Sequence, residues 1–281
     1  MKRLLILLLA SVVALCAQTS RAQEHETFQL WPDVAPGEKA DAEKPTYEYW
    51  KPENKTSDAC VIVCPGGGYN MLCRDYEGQD IASYFNSKGV TAVVLYYRVP
   101  RREGQPKHLA PWQDAQRCVR VVRSRADEWG INPDKIGILG FSAGGHLTLM
   151  TSTTSLTNSY EPVDEIDKLS ASVNFAVPVY PAYVLEDGVE GTNTNKGADS
   201  PIVDDFAFDA KTPPMCFIHG DADRISPMGS AMVYAQLRKM DIPAELHVYA
   251  KVEHGFGANV TDNHVGDWLN RVYYWMQAMG F

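Results

Sequence analysis

The stretch "KIGILGFSAGGHLTLM", Lys135 to Met150, decides the fold. It opens as an apolar run, breaks at Gly140, presents one serine, breaks again at Gly144 and continues in helix-favouring residues. Gly140-Phe141-Ser142-Ala143-Gly144 is a G-x-S-x-G pentapeptide between a strand and a helix. In such a turn, strained backbone angles hold the serine hydroxyl clear of the sheet. So tight a turn leaves no room for side chains two residues to either side, which accounts for both glycines. The helix that follows aims free N–H groups and its positive dipole end at the serine. Alone the pattern recurs by chance; between a buried strand and a helix it predicts a nucleophile.

Outward from this turn, strands and helices alternate. "ACVIVC" (59–64) and "TAVVLYY" (91–97) are continuous apolar runs of strand length, as expected of strands covered on both faces. Between them "EGQDIASYFNSKG" (77–89) carries Ile81, Tyr84 and Phe85 at helical spacing, with Gly89 as a stop. "PWQDAQRCVRVVRSRADEWG" (111–130) predicts a long helix from Pro111 to Gly130. Downstream, 171–180, 214–220 and 244–250 read as strands, and 228–240 and 264–280 as helices. The alternation predicts α/β architecture: a mostly parallel, doubly wound sheet with helices on both faces, as a single domain over 23–281. Right-handed crossovers then gather the strand C-terminal ends along one edge, where ligands bind. Gln23 to Lys44 reads as a polar leading segment, and the glycine-rich, acidic 181–210 as an insertion or flap beside that edge.

The 281 residues, 45% of them hydrophobic, suffice for one large core. Lys2 and Arg3 precede an apolar run from Leu4 to Ala17, with Ser20 and Ala22 after it. This is the pattern of a signal peptide over 1–22, cut between Ala22 and Gln23, and it predicts a secreted or periplasmic protein. The run is shorter than the ~20 residues of a membrane span, so no membrane association is expected once it is removed. Removal takes Lys2, Arg3 and Arg21 but no acid, moving the net charge from −9 to −12. An acidic chain without a basic run is a poor partner for nucleic acid or for a polyanion, which points to a neutral substrate. Five cysteines remain after Cys16, an odd number. None shows zinc-ligand spacing with histidines beside it, so no metal and no cofactor are expected.

A serine hydroxyl needs a histidine to take its proton and a carboxylate to orient that histidine. With this kind of turn the chain order is serine, acid, histidine. "HGDADRISP" (219–227) ends a buried strand and carries Asp221 and Asp223; "VEHGFG" (252–257) follows the next strand and carries His254. Asp223 is preferred because it lies farther into its loop, whereas Asp221 directly follows the Gly220 turn. His146, on the helix after the serine, reads as a packed helix residue, and His219 as a structural turn residue. "CPGGGYN" (64–70) follows the first clear buried strand. Its glycines let backbone N–H groups approach a substrate, so Gly67 or Gly68, with Ala143, are the expected oxyanion donors.

With "CPGGGY", "EGQDIASYFNSKGVTAVVLYYR", "DAQRCVRVVRSRADEWGINPDKIGILGFSAGGHL", "TPPMCFIHGDADRISP" and "EHGFG", the chain resembles the α/β-hydrolase superfamily over nearly all of 45–281. Within it, the chain is most similar to secreted bacterial carbohydrate esterases. These are acetylxylan-esterase-like proteins with feruloyl-esterase relatives, sometimes labelled xylanases. Cys64 and Pro65 depart from the HGGG-type loop of many lipases. The resemblance implies an esterase with Ser142, Asp223 and His254 as triad, no cofactor, and a small-molecule or oligosaccharide ester substrate. A glycosidase would instead need two carboxylates across the bond. Tyr69, after the oxyanion loop, and Tyr180, at the end of its strand, are expected to crowd a short acyl group; Tyr183 is placed to lie flat against a sugar ring. A feruloyl or general short-chain esterase, a peptidase of the same fold and a non-catalytic binding protein are the alternatives.

Overall fold

A computed structural model describes residues 25–186, 200–260 and 264–281. The signal-peptide expectation for 1–22, and residues 187–199 of the expected flap, lie outside the described residues. No described helix is long and apolar enough to cross a membrane.

Among the described residues eight strands form one sheet: β1 His25–Gln29, β2 Thr46–Trp50, β3 Cys60–Cys64, β4 Thr91–Tyr96, β5 Ile136–Phe141, β6 Phe175–Val179, β7 Met215–Gly220 and β8 Ala244–Tyr249. Their spatial order is β1-β2-β4-β3-β5-β6-β7-β8. β1 pairs antiparallel with β2, and β2 antiparallel with β4; every other pair is parallel. The helices are α1 Asp80–Ser87, α2 Leu109–Ser124, α3 Ala126–Trp129, α4 Ala143–Thr153, α5 Met228–Lys239 and α6 Trp268–Ala278.

The continuous apolar runs have the explanation expected of them. Successive side chains of a strand point to opposite faces. Cys60, Ile62 and Cys64 of β3 therefore join the core under α2, α4 and α5, while Val61 and Val63 join a second core under α1 and α6. All five are buried, because helices cover both faces of the sheet.

Two readings need correction. The polar leading segment 23–44 contains β1, and β2 follows it at Thr46–Trp50. β1 is the edge strand and shows its side chains mainly to solvent, while β2, between β1 and β4, is mostly buried but reads TYEYW, so neither has the apolar run by which the central strands are recognised. The long helix predicted over 111–130 starts two residues earlier and divides at Arg125 into α2 and α3, ending at Gly130 in the left-handed conformation (φ 62°).

Candidate active site

β5 delivers Ser142 directly into α4, as the glycine spacing requires. A Cβ on Gly140 would lie 2.2 Å from the Gly144 carbonyl oxygen, and one on Gly144 2.1 Å from that of Cys64, so neither position admits a side chain. Ser142 itself has φ 52° and ψ −113°, a conformation strained for any residue but glycine. The Ser142 N–H donates to the Val179 carbonyl at 3.0 Å, tying the turn to the end of β6.

Ser142, His254 and Asp223 form a hydrogen-bonded line. His254 Nε2 lies 2.9 Å from Ser142 Oγ, and His254 Nδ1 lies 2.7 Å from Asp223 Oδ2. An ionised carboxylate only accepts, so Nδ1 carries the hydrogen and Nε2 is left to accept the serine proton. Asp223 is buried, and its Oδ1 accepts the Ile225 N–H at 2.7 Å, fixing its orientation. Asp221 is exposed, and its N–H donates to the Tyr249 carbonyl. His219 sits beneath Asp223, its Nε2 bonded to the Ile225 carbonyl and its Nδ1 to Ser230 Oγ. Burial pushes His219 down to about 4, so at neutral pH it braces the loop as an uncharged ring.

The glycine loop after β3 meets this line. A Cβ on Gly66 would lie 3.2 Å from the Ser142 Cβ. The Gly66 N–H is already taken, donating to Glu77 Oε2 at 2.9 Å, whereas the N–H groups of Gly67, Gly68 and Ala143 enter none of the turn or loop backbone bonds among the described residues. Gly67 holds φ 132°, a backbone state reserved for glycine, and Arg101 fixes the Gly68 carbonyl from Nε and Nη2 at 3.2 and 3.0 Å.

Glu77, which the sequence did not single out, connects these parts. Besides holding Gly66, its carboxylate accepts the Tyr180 hydroxyl at 2.7 Å, and the Tyr180 oxygen accepts the Gly257 N–H at 3.0 Å. The Tyr180 ring packs edge-on against His254 with centroids 4.8 Å apart. One buried acid thus links the glycine loop, β6 and the histidine loop. The signal available was only an acid in "EGQD", and acids are common at helix starts.

Burial raises the Glu77 carboxyl above the ordinary carboxylate value, outweighing the Tyr180 and Gly66 donors that lower it. Ionising Glu77 therefore costs the folded state stability, a loss that grows as pH rises through the raised pKa. Glu77→Gln removes this charge and keeps an oxygen for Gly66. Its stability relative to wild type should improve as pH rises from the ordinary glutamate value, about 4.3, through the raised value of the folded state, as followed by urea denaturation at a series of pH values. A difference that stays flat with pH would contradict the reading. Glu77→Ala, which leaves two buried donors unpaired, should cost ~2–4 kcal/mol.

Of the three tyrosines expected to contact substrate, two need correction. Tyr69 and Tyr180 are fully buried. The Tyr69 hydroxyl is 2.9 Å from His146 Nδ1, and that of Tyr180 is spent on Glu77. Neither ring offers a face to an acyl group, because each must satisfy its polar end inside the core. Tyr183 stacks on Tyr69 at 6.1 Å, donor Arg101 Nη2 is 2.7 Å from its hydroxyl, and the Lys107 ammonium lies 4.7 Å from its ring centroid. A sugar stacking there would have to displace Lys107. The Tyr183 hydroxyl instead borders the glycine loop, 3.9 Å from where a Cβ on Gly68 would stand. His146 is buried in the core as a packed helix residue, and burial pushes it down to about 4.

Known proteins share this arrangement of elements. A family model described as BD-FAE matches residues 48–237. An acetylxylan esterase of Xylanibacter ruminicola is 29% identical over 277 residues, covering 94% of this chain and 53% of the relative. An endo-1,4-beta-xylanase B of Butyrivibrio fibrisolvens is 30% identical over 230 residues, covering 78% of this chain and 36% of the relative. The chain thus spans about half or less of the length of these two curated relatives. A solved acetyl ester-xyloside bifunctional hydrolase from Caldicellulosiruptor lactoaceticus superposes with a TM-score of 0.76 at 27% identity, over 91% of this chain and 97% of that one. MGS-M1, an alpha/beta hydrolase from a deep-sea metagenome library, shares the fold with a TM-score of 0.69 at 24% identity, over 91% of this chain and 97% of that one. The fold is the α/β-hydrolase fold.

Proposed function

The chain belongs to the BD-FAE family, and we propose that it is a serine carboxylic-ester hydrolase that removes short acyl groups, acetyl first, from a neutral carbohydrate such as xylan. The observation that carries this reading is the unbroken line from Ser142 Oγ through His254 to Asp223 at 2.9 and 2.7 Å. The names of its relatives, an acetylxylan esterase and an acetyl ester-xyloside hydrolase, support the substrate class.

In the proposed reaction His254 Nε2 takes the Ser142 proton as Oγ attacks the ester carbonyl. Charge developing on the carbonyl oxygen is met by N–H groups of Gly67 or Gly68 and of Ala143, already free of turn bonds. The proton on His254 passes to the departing sugar alcohol. Water, deprotonated by the same nitrogen, then attacks the acyl-enzyme; the carboxylic acid leaves and Ser142 regains its proton. Asp223 holds the ring in the required tautomer and balances its transient charge. The polar rim of Arg101, Lys107 and the Tyr183 hydroxyl beside the glycine loop suits a hydroxyl-rich alcohol better than a lipid chain. The reading extends to a single catalytic domain over 23–281, exported after cleavage near Ala22-Gln23.

A series of p-nitrophenyl esters beside acetylated xylan tests it. We expect kcat/KM to be highest for acetyl, to fall at butyryl, and acetate to be released from xylan. A roomy acyl site would gain about 0.8 kcal/mol for each added methylene, whereas an overpacked one loses ~1–3 kcal/mol. A maximum at octanoyl with no release from any acetylated sugar would point to a lipase-like enzyme. Peptide cleavage, or no turnover of any ester, would overturn the reading altogether.

A further inference from the structure

We infer that His108, His146 and Asp205 form a binding site for one divalent transition-metal ion of the zinc type, which fastens the 200–208 segment to α4 behind the glycine loop. The three residues come from separate parts of the chain: the residue before α2, the second turn of α4, and the loop leading to β7. No sequence spacing announces them, yet one ligand atom from each lies within 4.8 Å of the others.

The state of those atoms points to a ligand. His146 is completely buried, and its Nε2 has no hydrogen-bond partner among the described residues; neither has His108 Nδ1. Leaving such atoms unpaired in a protein interior is costly. Both face the same carboxylate oxygen: Asp205 Oδ2 stands 3.6 Å from His108 Nδ1 and 3.8 Å from His146 Nε2. These separations are too long for hydrogen bonds. They are close to the roughly 3.4 Å between neighbouring ligands of a tetrahedral ion with bonds of ~2.0–2.1 Å, so small movements would close the set. Among the described residues no lysine or arginine forms a salt bridge with Asp205; its partners at that range are the two imidazoles. Two imidazoles and one carboxylate suit zinc, with water completing the coordination.

The surroundings fit the same purpose. His146 Nδ1 faces the Tyr69 hydroxyl at 2.9 Å, the type of outer hydrogen bond that fixes a ligating ring's tautomer and frees Nε2 for the metal. Tyr183 lies edge-on to the His146 ring at 5.8 Å, and Phe206 packs against it at 5.3 Å, so the ring cannot turn away. Tyr69 directly follows Gly68, so an ion here would brace the glycine loop and the segment beside it together. Lys107 is the nearby opposing charge, with its ammonium over the Tyr183 ring.

The test is direct metal binding by the untagged, chelator-stripped full chain, followed by calorimetry with Zn2+ and by visible absorption with Co2+. We expect one equivalent per chain, a Co2+ spectrum of low coordination number, and a Tm that rises with Zn2+. Asp205→Asn and His108→Gln should each weaken binding by more than about 100-fold, the upper end of what losing an outer-shell partner costs. Both side chains are only partly buried, so circular dichroism should find the variants folded. Glu245→Gln, in the other His/Cys/acid group at Cys216, Glu245 and His247, should bind as wild type does. No saturable Zn2+ binding by wild type, binding undiminished in the Asp205 and His108 variants, or binding lost in Glu245→Gln would each overturn the inference. None of these readouts depends on ester hydrolysis.

Discussion

Replacing Ser142 by alanine should lower ester hydrolysis by on the order of 10⁶ while leaving the fold intact. Ser142 Oγ stands 2.9 Å from His254 Nε2, and an alanine removes the attacking atom without disturbing anything that holds the turn. The Ser142 N–H still reaches Val179, Gly144 still admits the close approach of β3, and Gly140 that of α4. A second consequence concerns stability. At φ 52° and ψ −113° any side chain at position 142 is strained, at a typical cost of ~1–3 kcal/mol. Glycine relieves that strain but loses ~0.4–1 kcal/mol through its freer unfolded chain. Ser142→Gly should therefore be about 1 kcal/mol more stable than Ser142→Ala and equally inactive, as a comparison of urea midpoints with turnover of p-nitrophenyl acetate would reveal. Near-normal turnover in folded Ser142→Ala would remove the basis of the proposed function.

Asp223→Asn should lower kcat by about 10⁴, and Asp221→Asn should leave it within a few-fold of wild type. The amide fits the same space, but its nitrogen can face His254 Nδ1 only if that nitrogen accepts. The ring would then carry its hydrogen on Nε2, where the serine proton must arrive. Asp223 Oδ2 lies 2.7 Å from Nδ1, inside a loop closed by the Ile225 N–H and supported by His219. Asp221 points to solvent and touches no part of the line. Measuring kcat for both variants at the same pH separates the two carboxylates; the opposite order would transfer the role to Asp221.

Much of the architecture follows from local rules. β3, β4 and β5 are legible because strands covered on both faces must be apolar at every position, and that leaves an unbroken run. The turn at Ser142 is legible because two glycines at fixed offsets are required wherever a strand folds straight back into a helix. The serine–acid–histidine order follows from the same topology, since each residue must stand at the C-terminal end of a strand. The sequence alone therefore determined the parallel centre of the sheet, the elbow, and the two loops from which Asp223 and His254 come.

What it left open depends on contacts between distant segments. β1 is an edge strand open to solvent and β2, though largely buried, reads TYEYW, so both lack an apolar run; β2 exists because β4 offers it a partner, and β1 because β2 does. Tyr69 and Tyr180 look like exposed aromatics beside a site, but each is buried because a polar partner, the His146 ring or the Glu77 carboxylate, meets its hydroxyl inside the core. Glu77 gains its role because Gly66, Tyr180 and, through it, Gly257 converge on one carboxylate. His108, His146 and Asp205 have nothing in common until α2, α4 and the loop before β7 pack together. Hydrophobic periodicity reports which face of an element is covered. Where a buried polar atom finds its partner is decided by packing, because that partner lies from 11 to 103 residues away along the chain in these contacts.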